Sequence, residues 1–317
     1  MDPLSDVLRV VRLDGAYFYA VETSNPWSAE APAAAELTPR VMPTSEHLIS
    51  YHIILDGRCR AGLIGEDSVE LEAGDVVVFA HGDAHLMSSG GTRLGDEIQR
   101  TTPEHYPFAV RHGAPGPRAT SLLCGFLGCD RRPFNPLLAA LPRRLHVRGV
   151  TNSGLGIFIQ RLTEEASAGR SGAAGVVTRL AEMMFIEVLR RYLDELPPGQ
   201  TGWLAGLRDE VVGRALTALH QCPGHRWTLV ELAREAATSR TALTKRFTEF
   251  VGQPPMQYLT HWRMQVAANR LAQTGATIAS IGGEVGYDSE AAFSRAFKKV
   301  TGQAPGSWRA ARRRTPA

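Results

Sequence analysis

The chain has 317 residues, of which 44% are hydrophobic and 21% charged, a composition ordinary for a globular protein with room for two domains. It contains no run of about eighteen apolar residues, and its acidic start lacks the features of a signal peptide, so we expect no membrane contact and a cytoplasmic location. The formal net charge is +3, but residues 203–317 contain 16 Lys and Arg against 8 Asp and Glu. Such a basic end is typical of a domain that binds a polyanion.

The first part of the chain, up to about residue 125, shows little helical periodicity. Short apolar runs alternate there with Gly, Pro and Asp, at residues 16–22, 47–55, 68–71 and 75–80. Regular short strands separated by turn residues are typical of a small antiparallel barrel or sandwich. We therefore predict a β-rich N-terminal domain over residues 1–150.

Two segments of this domain carry a more specific pattern. Residues 71–85 contain a Gly-Asp turn, an apolar strand and a second Gly-containing turn that ends in His85. Residues 51–57 supply an earlier strand and an Asp-Gly turn. The two segments resemble the two halves of the cupin motif. This resemblance implies that residues 1–150 form a cupin-like domain that binds an effector.

Aromatic and imidazole side chains of this domain are candidates for the lining of a ligand pocket, because such pockets combine apolar walls with a few polar groups. The candidate effector-binding residues are Trp27, His47, Tyr51, His52, His81 and His85. The candidate ligands of a metal ion are His52, His81 and His85. Imidazole suits borderline cations, but Ser50 stands where metal-binding cupins have the first histidine of an HxH pair. A metal ion, an organic effector and a structural role of these histidines are all open alternatives.

Cys124 and Cys129 are candidates for a redox switch. Five residues apart on a strand, their side chains point to opposite faces. A direct disulfide therefore requires a turn or bulge at the intervening glycines, Gly125 and Gly128. The alternative is that both are buried structural thiols.

Residues 154–168 and 172–196 show helical periodicity, and the second segment is apolar on more than one face. Such a helix must bury those faces, either against its own domain or against a second subunit. We predict a helical dimerisation segment over residues 151–196, and hence a homodimer. A linker over residues 197–204 follows, because Pro-Pro-Gly cannot continue a helix.

The last ninety residues contain one helical pattern twice. Most corresponding positions are fifty residues apart, and the starts of the two copies are forty-nine apart. The corresponding pairs are Thr228 and Thr277, Leu243 and Phe293, Phe247 and Phe297, Gly252 and Gly302, and Pro255 and Pro305. Each copy is a short helix, a turn and a second helix, which is the shape that fits a DNA major groove.

A long helix is predicted between the two copies, over residues 255–272. Eighteen residues give a length of roughly 27 Å. Such a spacer would hold two reading helices about one turn of DNA apart, near 34 Å. One chain could then reach two successive major grooves.

Residues 278–287, 293–299 and 302–309 resemble the signature of AraC/XylS-type transcription regulators. The resemblance covers roughly residues 205–312. It implies a DNA-binding domain of seven helices with two helix-turn-helix units, with double-stranded promoter DNA and RNA polymerase as partners. Residues 2–8 and 137–142 also fit the cupin-type sensor domains that are fused to such regulators.

The resemblance also implies which side chains face the DNA. The base-facing candidates are Thr241, Thr244, Lys245, Glu290, Ala291 and Arg295. The phosphate-contacting candidates are Arg240, Ser294, Lys298 and Lys299. The pair Gly282-Gly283 departs from the family pattern and costs about 1 kcal/mol of helix propensity per glycine. We therefore expect the first helix of the second unit to be more easily deformed than is typical of the family.

The fold class expected from these patterns is α+β: a cupin-like β-barrel or sandwich with a helical segment, followed by an all-α domain of two helix-turn-helix units. The expected function is sequence-specific DNA binding in transcription regulation, controlled by a small effector and without enzyme activity. One alternative is a regulator that senses oxidants through its cysteines. The other is a metal-dependent cupin enzyme with an accessory helical domain.

Overall fold

The computed structural model describes residues 2–11, 13–90, 99–100, 109–113, 115–149, 154–168, 170–197 and 199–313. The chain forms two compact units. The sheet unit consists of Leu13–Cys129 and Leu141–Glu195, and the helical unit consists of Met1–Arg12, Asp130–Ala140 and Leu196–Ala317. The domain boundary predicted between residues 150 and 151 lies outside the described residues.

Strands and helices are numbered along the whole chain. The strands are β1 (Leu13–Thr23), β2 (Ser28–Ala31), β3 (His47–Asp56), β4 (Arg58–Leu63), β5 (Val69–Glu72), β6 (Val76–Phe79), β7 (His85–Ser88), β8 (Gln99–Arg100), β9 (Ala109–His112), β10 (Thr120–Cys129) and β11 (Leu145–Val147). The helices are α1 (Pro3–Val10), α2 (Ala34–Val41), α3 (Pro136–Ala140), α4 (Gly154–Ala168), α5 (Ala173–Glu195), α6 (Trp203–Arg208), α7 (Glu210–Gln221), α8 (Leu229–Glu235), α9 (Arg240–Val251), α10 (Pro255–Gln273), α11 (Ile278–Glu284), α12 (Glu290–Thr301) and α13 (Pro305–Arg313).

The sheet unit contains a six-stranded sheet in the order β11-β6-β3-β10-β1-β9 and a five-stranded sheet in the order β5-β4-β7-β2-β8. Neighbouring strands are antiparallel except for β1 with β9 and β2 with β8. Alternate residues of β1 and β10, such as Tyr19, Val21, Leu122, Cys124 and Phe126, belong to one hydrophobic core together with residues of the second sheet. This is the period of two that places one face of each strand inward. The predicted β-rich domain and the α+β fold class are confirmed.

The helices α4 and α5 pack against each other, and α5 also packs against β1 and β11. They therefore belong to the sheet unit. Helix α5 ends at Glu195, two residues before the Pro-Pro-Gly sequence that was expected to end it.

Seven helices, α7 to α13, begin within residues 205–312, the number that the family resemblance implied, and α6 is an additional helix that begins before them at Trp203. The additional helix arises because Asp209 separates α6 from α7. Its backbone is extended, and its carboxylate accepts hydrogen bonds from the amides of Val211 and Val212 at the start of α7. This is an N-cap, which ends one helix and starts the next.

The internal repeat is also a repeat of backbone geometry. The turn between α8 and α9 contains Ala237 with φ 52°, and the turn between α11 and α12 contains Gly286 with φ 85°. In both copies the amide of the residue after this position donates to a carbonyl of the preceding helix: Thr238 N to Ala233 O and Tyr287 N to Gly282 O, each at 2.9 Å. The amide of Ala242 bonds to Ser239 in one copy, and the amide of Ala292 to Ser289 in the other. Asp288 is consequently the extra residue of the second turn.

Gly282 has a packing role that the sequence did not reveal. A Cβ atom at this position would lie 3.0 Å from Cβ and 3.1 Å from Cγ of Phe293, which is fully buried beneath α11. A Cβ atom at Gly283 would meet nothing within 4 Å. The first glycine thus lets α11 and α12 approach closely, and only the second is a plain cost in helix propensity.

Two short segments of the predicted domain 1–150 belong to the helical unit. Helix α1 packs against α7 and α10, and α3 packs against α6. The Phe134 ring lies 5.5 Å from the ring of Tyr258, and its amide donates to Gln265 Oε1 at 2.9 Å. Asp130 pairs with Arg312 at 3.3 Å. The contiguous boundary expected from the sequence therefore differs from the compact units. None of the helices described is both long and apolar enough to cross a membrane.

Candidate nucleic-acid interface and buried cavity

Helices α9 and α12 occupy equivalent places in the two copies and present the candidate DNA-facing residues. Each is anchored by two side chains with no exposed surface, Leu243 and Phe247 in α9 and Phe293 and Phe297 in α12. The candidate residues on the other faces are all exposed or half-buried: Arg240, Thr241, Thr244, Lys245, Glu290, Ala291, Ser294, Arg295, Lys298 and Lys299.

The cations on these two helices differ in their partners. Arg240, Lys245 and Arg295 make no ion pair with any acidic group among the described residues, and the same holds for Lys298 and Lys299. Arg246, in contrast, binds both carboxylate oxygens of Asp209, with contacts of 2.6–3.0 Å. The unpaired cations are available to phosphates or base edges, whereas Arg246 is committed to the fold.

One predicted base contact is partly engaged within its own helix. The Thr244 hydroxyl donates to Arg240 O at 2.9 Å. A hydroxyl retains acceptor capacity in this arrangement, but its donor is used. Among the three base-facing candidates of α9, only Thr244 uses its side-chain donor within the helix.

A buried polar network lies below α9 and α10 in the helical unit. The Trp203 indole donates to the Tyr258 hydroxyl at 2.9 Å, and that hydroxyl donates to His220 Nε2 at 2.7 Å. Burial lowers the pKa of His220 to about 3, so the ring is neutral and can accept this bond. The network fixes α6, α7 and α10 relative to one another.

The sheet unit contains a small cavity in its core. Its lining residues are Val21, Trp27, Ala29, Glu30, Ala31, His52, Met87, His112, Leu122 and Cys124. Water can occupy about 30 Å³ of it, room for one or two molecules. The indole N–H of Trp27 is buried and has no hydrogen-bond partner among the described residues. The cavity is thus mainly apolar, with a free donor on its wall.

Two histidines and a thiol form a hydrogen-bonded chain at this cavity. His85 Nδ1 lies 3.0 Å from Asp83 O, and a carbonyl only accepts, so His85 carries its proton on Nδ1. His85 Nε2 must then accept from His52 Nε2, at 2.7 Å. His52 Nδ1 in turn accepts from the Cys124 thiol, at 2.8 Å. The chain of donors fixes both tautomers.

The pKa values are consistent with this neutral chain. Burial lowers the pKa of His52 well below its usual range, and lowers that of His85 to about 4. Burial also raises the pKa of the Cys124 thiol. Neither imidazole nor thiol is charged near neutral pH, because all three groups are removed from water.

The predicted effector-binding residues fall into two groups. Trp27 and His52 line the cavity, and His85 contacts His52. The other three lie elsewhere. His47 Nε2 bonds to Ala80 O at 2.8 Å, and His81 Nε2 bonds to Leu141 O at 2.8 Å.

Tyr51 is the third predicted residue outside the cavity. It precedes His52 on β3 and therefore points to the opposite face of the sheet. Its ring lies 4.9 Å from that of Phe18. A Cβ atom at Gly125 would lie 2.6 Å from the Tyr51 hydroxyl, so this glycine makes room for the tyrosine.

Sequence reasoning missed Met87, His112 and Leu122 as cavity residues. Leu122 is two residues from Cys124 on β10, so alternation along that strand would have identified it. Met87 and His112 lie on β7 and β9, whose places in the two sheets are not adjacent to their neighbours in sequence. No local sequence pattern indicates that Met87 and His112 meet at the cavity.

The three candidate metal ligands do not converge. His52 and His85 meet, but His81 is exposed and bonds to a backbone carbonyl. No group of three metal-ligating side chains occurs among the described residues. A catalytic metal site commonly uses three protein ligands, so the donor set does not fit one.

The two candidate redox cysteines lie on one uninterrupted strand. From Leu122 to Cys129, β10 pairs with β3 without a bulge, so the two thiols are separated by about 17 Å and lie on opposite faces. Gly125 and Gly128 accommodate the side chains of Tyr51 and Ser45, and they provide no turn. The turn that a Cys124–Cys129 disulfide requires is therefore absent from this part of the strand.

A helical unit with two equivalent helix-turn-helix motifs, joined to a two-sheet β unit, defines a DNA-binding protein with a cupin-type domain. The cupin family model matches residues 2–194, and a helix-turn-helix domain model matches residues 232–311. An AraC-like transcription regulator of Streptomyces lividans is 33% identical, over 98% of each chain. The chain belongs to the AraC-like family of DNA-binding transcription regulators.

Two further similarities are found. The HTH-type transcriptional regulator AlkR of Acinetobacter baylyi is 28% identical, over 98% of this chain and 99% of that protein. The DNA-binding domain of AdpA, solved in complex with a target DNA, is 26% identical and covers 33% of this chain and 95% of that chain, with a TM-score of 0.32.

We expect the free energy of unfolding of the sheet unit to fall as the pH is lowered from about 6.5 to about 4. The pKa of His85 is lowered from 6.5 to about 4, so the unfolded chain binds a proton in this window that the folded chain does not. One such histidine accounts for up to about 3 kcal/mol. Hydrogen exchange of the β10 amides at several pH values measures it.

The matched variants for this measurement are His85→Gln and His225→Gln. The first removes one titrating group from the sheet unit, so the fall with acid should be smaller than in the wild type. The second changes an exposed histidine of the helical unit and should leave the fall unchanged. An equal acid sensitivity of His85→Gln and the wild type would contradict the assignment.

Proposed function

We propose that the protein regulates transcription by binding specific promoter sequences through α9 and α12, under the control of a small effector bound in the sheet unit. The observation that carries the DNA-binding part is the set of unpaired cations on the two equivalent helices. The excess of basic residues in residues 203–317 supports the same conclusion, because phosphate contacts dominate nucleic-acid affinity.

In this proposal the two helices have unequal roles. The second helix reads bases through Glu290, Ala291 and Arg295, of which the arginine can make a bidentate contact with guanine. The first reads through Thr241, Thr244 and Lys245. Phosphate contacts come from Arg240, Ser294, Lys298 and Lys299. RNA polymerase remains a partner implied only by the family.

Arg295→Ala should weaken binding by about 1–3 kcal/mol and relax the preference at one position of the binding site, because it removes a base contact. Lys298→Ala should weaken binding evenly across sequences and lower the salt dependence by about one phosphate contact. Binding of both variants to a set of single-base operator variants, at several salt concentrations, distinguishes the two roles. An unchanged sequence preference in Arg295→Ala would remove this residue from the reading set.

The effector part of the proposal rests on the cavity. Its walls are mainly apolar, with Glu30 as the one acidic residue of the lining, and its histidines and thiol are neutral. It therefore suits a small molecule with an apolar body and no negative charge. The unpartnered indole N–H of Trp27 supplies one hydrogen bond to an acceptor of that molecule. The space present holds only one or two water molecules, so binding requires the walls to widen. Met87 is the wall residue best able to move, since its side chain is unbranched.

The path of the chain supports a link between the cavity and the DNA-binding unit. Val21 lies on β1, and Leu122 and Cys124 lie on β10, so both strands form the cavity wall. The chain enters β1 from residues 1–12 and leaves β10 into residues 130–140, and both segments belong to the helical unit. An effector that favours one position of these two strands thereby favours one state of those segments.

We expect an acceptor-bearing probe to bind more tightly than an apolar probe of equal size. Cyclohexanone should bind the full chain about fivefold more tightly than methylcyclohexane, which corresponds to one hydrogen bond of about 1 kcal/mol. Trp27→Phe keeps an aromatic wall but lacks the N–H, so it should bind both probes alike. Thermal stabilisation of the two proteins by each probe measures the ratio. The same preference in Trp27→Phe would exclude the indole as the donor.

The alternative functions receive less support. A redox-active cysteine reacts as a thiolate, whereas the Cys124 thiol is buried, keeps its proton in a hydrogen bond to His52 and has a raised pKa. A metal-dependent cupin enzyme requires a ligand set that the described residues do not assemble. We therefore propose a regulator without catalytic activity.

We also propose that α4 and α5 form a homodimer contact. Ile157, Val176 and Met183 on these helices are 66%, 43% and 49% exposed, although they are large and apolar. Burying such side chains in a second copy would remove them from water. This agrees with the dimerisation segment expected over residues 151–196.

Sedimentation equilibrium of the full chain tests the dimer. Ile157→Asp should convert a dimer into a monomer, because a charge would be buried at the contact. Ile64→Asp is the matched control, since Ile64 is 57% exposed but lies outside α4 and α5. It should remain dimeric. A wild-type monomer, or a dimer in Ile157→Asp, would contradict the proposed contact.

A further inference from the structure

The loop that leads into the first helix-turn-helix unit packs against the second unit. The leading loop (residues 222–228) precedes α8, and the second turn (residues 285–289) joins α11 to α12. A Cβ atom at Gly224 would lie 2.4 Å from Glu284 O, and one at Gly286 would lie 2.5 Å from Gly224 O. The backbones are therefore packed against each other, and both contact positions require glycine.

Arg263 on α10 holds these two segments together. Its Nε donates to Pro223 O at 2.6 Å and its Nη2 donates to His225 O at 2.7 Å, so it binds two carbonyls of the leading loop. Its guanidinium carbon lies 5.9 Å from the ring centre of Tyr287 in the second turn. The side chain is half-buried. The rigid, forked guanidinium is suited to contacting several groups at fixed angles.

A second connection involves the one residue by which the two copies differ in length. Asp288, the extra residue of the second turn, forms an ion pair with Arg226 of the leading loop. Both side chains are largely exposed, and exposed pairs hold weakly. Arg263 is therefore the principal connection, and the ion pair supplements it.

We propose that Arg263 is a positioning residue for DNA recognition. It fixes the distance and angle between α9 and α12, and so makes the chain selective for the spacing of two half-sites, the base pairs read by α9 and those read by α12. The inference rests on the proposed DNA-binding function. It goes beyond that function because Arg263 is not one of the proposed DNA-contacting residues. Its partners are the loop before the first unit and the turn within the second.

The geometry of DNA makes spacing a sensitive readout. Each inserted base pair moves the second half-site by about 3.4 Å and rotates it by about 34°. Two rigidly connected reading helices cannot follow both changes. Two loosely connected helices can follow the shift and the rotation, but they then have a weaker preference for any one spacing.

The test uses the full chain and duplexes that the wild type selects from a random library. Half-site spacing is then changed by up to three base pairs in either direction, and a duplex with one half-site is included. The wild type should lose about tenfold or more in affinity at the altered spacings. Arg263→Met keeps the alkyl stem but no donor, and its loss should shrink to about threefold or less. Its affinity for the single half-site should stay the same.

Arg270→Met is the matched control. Arg270 lies on the same helix, but it binds Glu284 of α11 at 2.9 Å and makes no contact with the leading loop. Its spacing profile should equal that of the wild type. Arg263→Lys can restore one of the two carbonyl contacts and should give an intermediate profile.

Gly224→Ala changes the same contact from the other side, because its Cβ atom would push the leading loop away from Glu284 O. It should broaden the spacing profile as Arg263→Met does, and it keeps the test decisive if the methionine variant does not fold. A wild-type profile in folded Arg263→Met or Gly224→Ala would overturn the inference. An equal loss at all duplexes, the single half-site included, would reduce Arg263 to a structural role. A wild type that selects no duplex would overturn the proposed function itself.

Discussion

The sheet unit depends on the pairing of β10 with strands on both of its sides, β1 on one and β3 on the other. This register places Cys124 against the cavity and Gly125 beneath Tyr51, and a slip of one residue would exchange the two faces. The same pairing brings together the two strands through which the chain connects to residues 1–12 and 130–140. Effector binding and DNA binding are therefore linked, in our proposal, by the position of two hydrogen-bonded strands.

The helical unit, in our proposal, presents two DNA-reading helices at a defined separation. Two equivalent units are joined by α10, whose 19 residues give it a length of about 28 Å. Helix α10 is not the sole connection described between the two units, because the leading loop and the second turn are packed together. The extra residue Asp288 lies at that contact. The copies thus differ at this contact as well as on the faces that carry the proposed DNA contacts.

Much of the helical unit could be predicted from the sequence because its signals are local. Apolar spacing, the caps Ser239 and Ser289, and the left-handed positions at Gly252 and Gly302 are each set by a few neighbouring residues. The cavity could not be predicted in the same way. His52 and Cys124 are 72 residues apart and meet only because β3 and β10 pair. Tyr51 and His52 are adjacent, yet strand alternation sends them to opposite faces.

In our proposal one chain reads DNA through two connected helices placed about one turn of the duplex apart. Hydroxyl-radical footprinting of the wild-type chain on a selected duplex tests this most directly. For each bound subunit we predict two protected patches on the same face of the duplex, with centres about 10 base pairs apart. A single patch for each subunit, or protection of opposite faces, would contradict DNA reading by two connected helices.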